Sequence, residues 1–349
     1  MNSINSKLLS EIKEHQFFDY GCEVKEIRDF LASSLPYLDR QRKAIGIIEY
    51  ILSQHGKEKL LNQVAELARV EHGIQELQPW VRDHVVHALR SFILGIYLNE
   101  YFMSPLNTKS DCFQWKLVGL LHDVAYPAQI AKDILKPFSE KINEIKRDLN
   151  VQAPDVFFRV SPVNLDQLRN RKNSFDLIQS QLDKWGLRIR AKDEYEKMIE
   201  AGKMCHGMIS GLSVLYVIDL LYQKFNPRRE HKNIYQPDST INWNQKYFIQ
   251  DIIPACAAIF IHNLDKSRFQ RSKINPHKAP LAFLLKLSDL LQEWERPSLE
   301  NREGYDAGKF DISIIDGNII FKADIPEERK REIIEELSAT LDFSDIRIE

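Results

Sequence analysis

Leu120-Leu121-His122-Asp123-Val124-Ala125-Tyr126-Pro127 follows a run from Trp115 to Leu121 that is apolar apart from Lys116. A helix that is apolar almost all round belongs in the centre of a fold. An ionisable group carried into such a place is costly unless it is paired or bound to a metal. His122 and Asp123 arrive there together, so the stretch predicts a central helix, Phe113 to Val124, that delivers polar chemistry to the interior.

Four other stretches repeat the pattern. They are Arg82-Asp83-His84-Val85-Val86-His87-Ala88-Leu89-Arg90, Cys205-His206-Gly207, Ile261-His262-Asn263 and Lys286-Leu287-Ser288-Asp289-Leu290-Leu291. Five insertions of this kind in one chain ask for a shared explanation. Imidazole mixed with carboxylate is the usual donor set of a hydrolytic metal centre, and a divalent metal supplies that explanation.

The remaining pattern is mainly helical. Residues 1–78 read as a helical leader, with apolar residues at helical spacing (Ile45, Ile48, Leu52; Leu60, Leu61, Val64, Leu67) and breaks at Gly56 and Gly73. Residues 79–300 form the core: a helix over Trp80 to Phe102, the His122-Asp123 helix closed by Pro127, an amphipathic stretch near Ile130 to Leu135, and apolar helices over Met204 to Phe225, Ile249 to His262 and Pro280 to Glu295. A polar, charged insertion at about 137–203 reads as a layer folded over the core and a candidate lid. Residues 305–349 change character. Strand-like runs flank an Asp316-Gly317 turn, a helix follows from Pro326 to Leu341, and a short strand closes the chain, giving a small α+β appendage.

Bulk composition narrows the function classes. With 349 residues, 44% of them hydrophobic, the chain can bury a large core. The 48 Lys+Arg nearly cancel 50 Asp+Glu, so no global field draws the chain to nucleic acid or an anionic membrane. The longest apolar stretch, Met208 to Tyr222, is interrupted by Asp219 and falls short of the ~20 residues a membrane span needs. The N-terminus lacks a signal-peptide pattern, and four scattered cysteines without a CxxC pair suggest reduced thiols, so the expected location is cytoplasmic. Cys205, beside His206, reads as a small buried thiol rather than a ligand. His15, His55, His72, His231 and His277 lie in polar surroundings and read as solvated.

The order His, His-Asp, His, His, Asp resembles the HD-domain superfamily of metal-dependent phosphohydrolases, from about Trp80 to Pro297. The apolar run into His122-Asp123 is similar to that family's dyad helix, His87-Ala-Leu-Arg to its first-His helix, and Asp289 to its closing Asp. The resemblance implies an HD-domain helical bundle and a metal set of His87, His122, Asp123 and Asp289. The additional His206 and His262 imply two divalent ions, with Mn, Fe, Mg, Ni and Zn not distinguished by the donors. His84 and His87 lie three apart on one helical face and compete for the first position, which His87 fits better.

The function implied is a phosphohydrolase or phosphodiesterase acting on a nucleotide or related small phosphorylated substrate through a metal-bound hydroxide. Asp123, His206 and Lys203 are assigned to the chemistry, with Arg82, His84, Lys266 and Arg268 as contacts for the substrate. Two alternatives stay open: a non-catalytic nucleotide-binding sensor, and a dNTP triphosphohydrolase with a one-metal site. A homo-oligomer is also open. The Gly-Tyr-Pro subgroup that cleaves cyclic dinucleotides is disfavoured, because His262-Asn-Leu-Asp-Lys lacks its paired histidines.

Overall fold

A computed structural model describes residues 3–32, 35–53, 84–131, 140–141, 143–144, 147, 164–168, 172–225, 245–295, 305–343 and 346–349. The chain is mainly helical with one small C-terminal sheet.

Helices α5 (His84–Leu98), α6 (Cys112–Leu121), α9 (His206–Phe225), α10 (Ile253–Ile261) and α11 (Pro280–Leu291) pack on one another as the core, with α10 at its centre. Helix α10 is Ile-Pro-Ala-Cys-Ala-Ala-Ile-Phe-Ile, apolar on every face, which is the pattern of a helix surrounded by others. Pro254 lies in its first turn, directly after the π-helical stretch Phe248–Ile252. Asp111 caps α6 by accepting from the N–H groups of Phe113 (2.8 Å) and Gln114 (3.2 Å). Helix α6 ends at Leu121, earlier than the predicted Val124. His122 to Ala125 form a turn, and Pro127 sits at the start of the next helical stretch instead of stopping α6.

Ahead of the core lie α1 (Ile4–Glu11), α2 (Glu14–Asp19), α3 (Val24–Leu31) and α4 (Tyr37–Ser53). They are joined to the core rather than separate from it. Ile48, Ile51 and Leu52 of α4 are buried, and α4 packs on α5. From α1, the Asn5 side chain donates to Leu31 C=O (3.2 Å) and accepts from the Trp294 indole N–H (2.9 Å).

The predicted insertion is corrected in part. Its second half forms α7 (Ser174–Lys184) and α8 (Ala191–Glu200), and α7 is a core layer, not a lid. Phe175, Ile178 and Leu182 recur at helical spacing and are buried against α10, with Phe175 edge-on to Phe260. Polar composition concealed that stripe, because burial depends on the period of the apolar residues and not on their fraction. The stretch 132–135 and most of 137–163 lie outside the described residues.

The C-terminal unit follows the sequence reading closely. Strands β1 (Phe310–Ile315) and β2 (Asn318–Ala323) pair antiparallel across Asp316-Gly317, both with positive φ (50° and 77°), as a two-residue hairpin turn with the sheet's twist requires. Helix α12 (Glu327–Thr340) leads to β3 (Ile346–Ile348), which pairs parallel to β2, giving the order β1-β2-β3. Among the described residues no helix is long and apolar enough to cross a membrane.

Close approach of α9 and α10 depends on two small residues one turn apart on α9, Gly207 and Gly211. A Cβ at Gly211 would lie 2.7 Å from Cys256 C=O and 2.9 Å from the Phe260 nitrogen, both backbone atoms that cannot rotate away. Gly211→Ala is therefore expected to lower the stability by about 1–3 kcal/mol, the usual range for overpacking. Urea unfolding of the purified variant measures this, and an unchanged midpoint would show that the two helices can separate freely.

Candidate metal centre

The five polar insertions converge. His84 and His87 lie in the first turn of α5, His122 and Asp123 just past the end of α6, His206 at the start of α9, His262 just past the end of α10, and Asp289 in the last turn of α11. Every ligand candidate is thus near a helix end, where backbone groups lack helical partners. Two of those orphan carbonyls aim the rings. His122 Nδ1–H donates to Gly119 C=O (3.2 Å), and His262 Nδ1–H donates to Ile259 C=O (2.7 Å). Each bond fixes the tautomer, because a carbonyl only accepts, and leaves the Nε2 lone pair pointing inward.

A side-chain amide does the same for His87. Its Nδ1–H donates to Gln292 Oε1, and Gln292 is held in that orientation by donating its own Nε2–H to Trp294 C=O (2.7 Å). His206 Nδ1 lies between the amides of Gln129 (2.9 Å) and Asn263 (3.2 Å).

Asp123 is the hub. Its Oδ1 faces His206 Nε2 (3.1 Å) and His262 Nε2 (3.3 Å). Its Oδ2 accepts from His84 Nδ1 (2.7 Å) and faces His122 Nε2 (3.6 Å) and His87 Nε2 (4.0 Å). Asp289 Oδ1 lies 2.8 Å from His87 Nε2. The polypeptide turn carrying Asp123 is fixed by the Ala125 N–H donating to Ser210 Oγ (3.0 Å).

This arrangement is unfavourable without a cation in it. His87, His122 and His262 have committed their Nδ1 protons outward, so as neutral rings they present lone pairs to carboxylate oxygens. His122 Nε2 is fully buried and has no hydrogen-bond partner among the described residues. A buried polar atom left in that state costs about 1–3 kcal/mol. A divalent ion removes the conflict, since it accepts lone pairs from imidazole and carboxylate together. Two buried triads, His87-His122-Asp289 and His122-Asp123-His262, have ligand atoms within 4.8 Å of one another and could hold an ion. The donors are all nitrogen and oxygen.

Electrostatics agree. Burial pushes the His122 pKa down, against the smaller opposing pull of Asp123, so the ring is neutral and ready to ligate at pH 7. Burial alone would raise Asp123, but the summed fields of His122, His206 and His84 outweigh it and hold the carboxyl well below the usual range. Asp289 and His206 keep 17% and 11% of their side chains exposed, more than the other members of the cluster.

Seven proposed site residues therefore meet: His84, His87, His122, Asp123, His206, His262 and Asp289. His84 was assigned to the substrate. The structure instead binds it to Asp123 and lays it against Tyr126, with ring centroids 3.3 Å apart. Three cations are not brought in. Lys203 is exposed on the turn after α8, Lys266 pairs with Glu335 (2.9 Å), and Arg268 pairs with Glu194 (2.9 Å). Proximity in sequence misled here, because the chain turns away from the cluster into a short 3-10 helix, Lys266–Phe269, directly after His262. Arg82 lies outside the described residues. Cys205 is half-buried, and its thiol donates to Asn263 C=O (3.6 Å). His15 and His277 are exposed, and His55, His72 and His231 lie outside the described residues.

The orienting amides Gln129 and Asn263 escaped the sequence reading, since isolated amides have no periodic signature. Gln292 was visible only as a polar residue one turn beyond Asp289. Searches against family models, curated proteins and solved structures each give no match to the chain.

A Cβ on Gly207 would lie 2.9 Å from the His262 ring, so Gly207→Ala should displace that ring and weaken Mn²⁺ binding about tenfold or more; titration of metal-free protein followed by electron paramagnetic resonance tests this, and equal affinity would show that the ring position is unimportant. His122 has a folded-state pKa below its ordinary 6.5, so the stability linked to it is full above that pH and is lost as pH falls below it. Thermal unfolding of metal-free protein should accordingly drop between about pH 7 and pH 5.5, and His122→Gln should flatten the drop. An identical slope in both proteins would contradict the assignment.

Proposed function

We propose that this chain is a metal-dependent phosphohydrolase or phosphodiesterase of the HD-domain type, acting on a nucleotide or related phosphate ester. The observation that carries the reading is the convergence of three outward-tethered imidazoles on two carboxylates in a cluster that is buried except for the partly exposed Asp289 and His206. Structural histidines have no reason to aim bare lone pairs at carboxylates, whereas metal ligands must.

Two positions are supported by the two faces of Asp123. His87, His122, Asp289 and Asp123 Oδ2 would hold one ion, and His206, His262 and Asp123 Oδ1 the other. Bound there, divalent metal lowers the pKa of coordinated water from near 15.7 to about 7 and draws off the charge of phosphoryl oxygens. The protein's part is preparation. Asp123 stays ionised, His84 Nδ1–H holds one of its oxygens in place, and the ring tethers fix the Nδ1–H tautomer of His122 and His262 so that their Nε2 atoms face inward. Asp289 and His206, the partly exposed members of the cluster, would face substrate and water; with a single ion bound, His206 would not ligate and would be the group to hold or pass a proton for the departing oxygen. With Lys266 and Arg268 committed to glutamates, neutralisation of the phosphate falls to the metal positions.

Purified protein supplied with Mn²⁺ or Fe²⁺ should hydrolyse at least one member of a panel of nucleotides and a generic phosphodiester. Asp123→Asn should lose roughly a thousandfold in rate, the equivalent of several kcal/mol of charge stabilisation. Nucleotide binding without turnover would instead establish the sensor reading. Elemental analysis of anaerobically purified protein decides between one and two ions per chain.

A further inference from the structure

The C-terminal helix α12 is tied by two ion pairs to α11 and to the segment just past its end. Lys286 Nζ contacts Glu336 Oε1 (2.6 Å), and Glu293 makes a two-pronged contact with Arg329, at 2.6 Å to Nη2 and 3.2 Å to Nε. Lys286 and Glu293 are seven residues apart, and so are Arg329 and Glu336, with the order reversed. The two segments therefore run antiparallel with complementary charges at the same sequence spacing, which on α12 is two helical turns, while Glu293 lies two residues past the end of α11. Between the charges of α12, Ile333 is buried, and Leu337 and Thr340 continue the same stripe toward the core.

Both pairs adjoin the metal centre. Lys286 is 3% exposed and also donates to His262 C=O (3.0 Å), so one ammonium ties the end of α10 to α11 one turn before Asp289. Glu293 follows Gln292, the amide that orients His87. A buried ammonium is tolerated only when its charge is compensated, and Glu336 supplies that compensation from outside the core. Without Glu336, an unpaired cation would be left on the element that carries Asp289, near positions that must accept further positive charge.

We propose that α12 is a clamp on the metal centre, with Glu336 and Arg329 as positioning residues that fix α11, and through it Asp289 and Gln292, against His262. The α+β unit thereby tunes metal affinity without contributing a ligand. This rests on the metal-centre reading above, and the test separates the two.

Metal-free wild type, Glu336→Gln, Arg329→Glu and the exchange Arg329→Glu with Glu293→Arg are titrated with Mn²⁺, and each metal-free protein is also unfolded thermally. Binding by wild type, with affinity lowered about ten- to a hundredfold in Glu336→Gln and Arg329→Glu and recovered in the exchange, is the expected result. The metal-free midpoint of Glu336→Gln should change by only a few degrees, which a purely structural role would not combine with weaker binding. Wild-type affinity in both single variants would overturn the clamp while leaving the metal centre standing. Absence of binding by the wild type would overturn both. Where the charge reversal prevents folding, Glu336→Gln decides alone, because it preserves size and shape.

Discussion

A carboxylate removed from water must be met by groups that stabilise its charge, and around Asp123, 4% exposed, five imidazoles gather: His84 donates to it, and the other four turn Nε2 toward it where a cation could sit. That constraint organises the molecule. Five rings cannot surround one carboxylate unless helices α5, α6, α9 and α10 bring their ends to a single point, and they can do so only if the helices are otherwise apolar enough to pack. The small residues Gly207 and Gly211 serve the same end, since they let α9 approach α10 closely enough for His206 and His262 to share one oxygen.

Helix ends solve the orientation problem as well as the placement problem. The last carbonyls of a helix have no internal partner, and a histidine just past the end can satisfy one with its Nδ1–H. His122 and His262 both do this, from equivalent positions after apolar helices. One local device, used twice, satisfies a backbone acceptor, fixes a tautomer and aims a lone pair. His87 lies at the other end of its helix, where free carbonyls are lacking, and takes the Gln292 amide instead.

This division explains what could be read in the sequence. The ligand candidates stood out because His or Asp inside an apolar run violates the burial rule, and the five stretches chosen on that ground all reach the cluster. The hairpin was legible from Asp316-Gly317 because few residue pairs accept positive φ twice in succession. Gln129 and Asn263 broke no rule where they stood, so nothing in the sequence distinguished them from ordinary polar residues, and Gln292 was marked only by its place one turn beyond Asp289. Lys286 did break it, in the middle of Leu284-Leu285-Lys286-Leu287, and the same argument that exposed His122 would have marked it as a paired group. The cations Lys266 and Arg268 were chosen by nearness to His262 alone, which carries no information once a helix has ended.

Charge arithmetic connects the site to the proposed chemistry. Counted as metal ligands, two carboxylates and a set of neutral imidazoles carry two negative charges, which one divalent ion would cancel. A phosphate ester arriving at a neutral site gains little. A second ion leaves the set with two positive charges, which matches what a phosphoryl group brings. On the proposed reading, the two additional histidines, aimed at the oxygen of Asp123 that the first set leaves open, would hold the second ion that an anionic substrate calls for, since Lys266 and Arg268 just beyond His262 are committed to glutamates. On the same reading Glu336 matters: a site that would gather cations is poorly matched to an uncompensated ammonium on the helix that supplies Asp289.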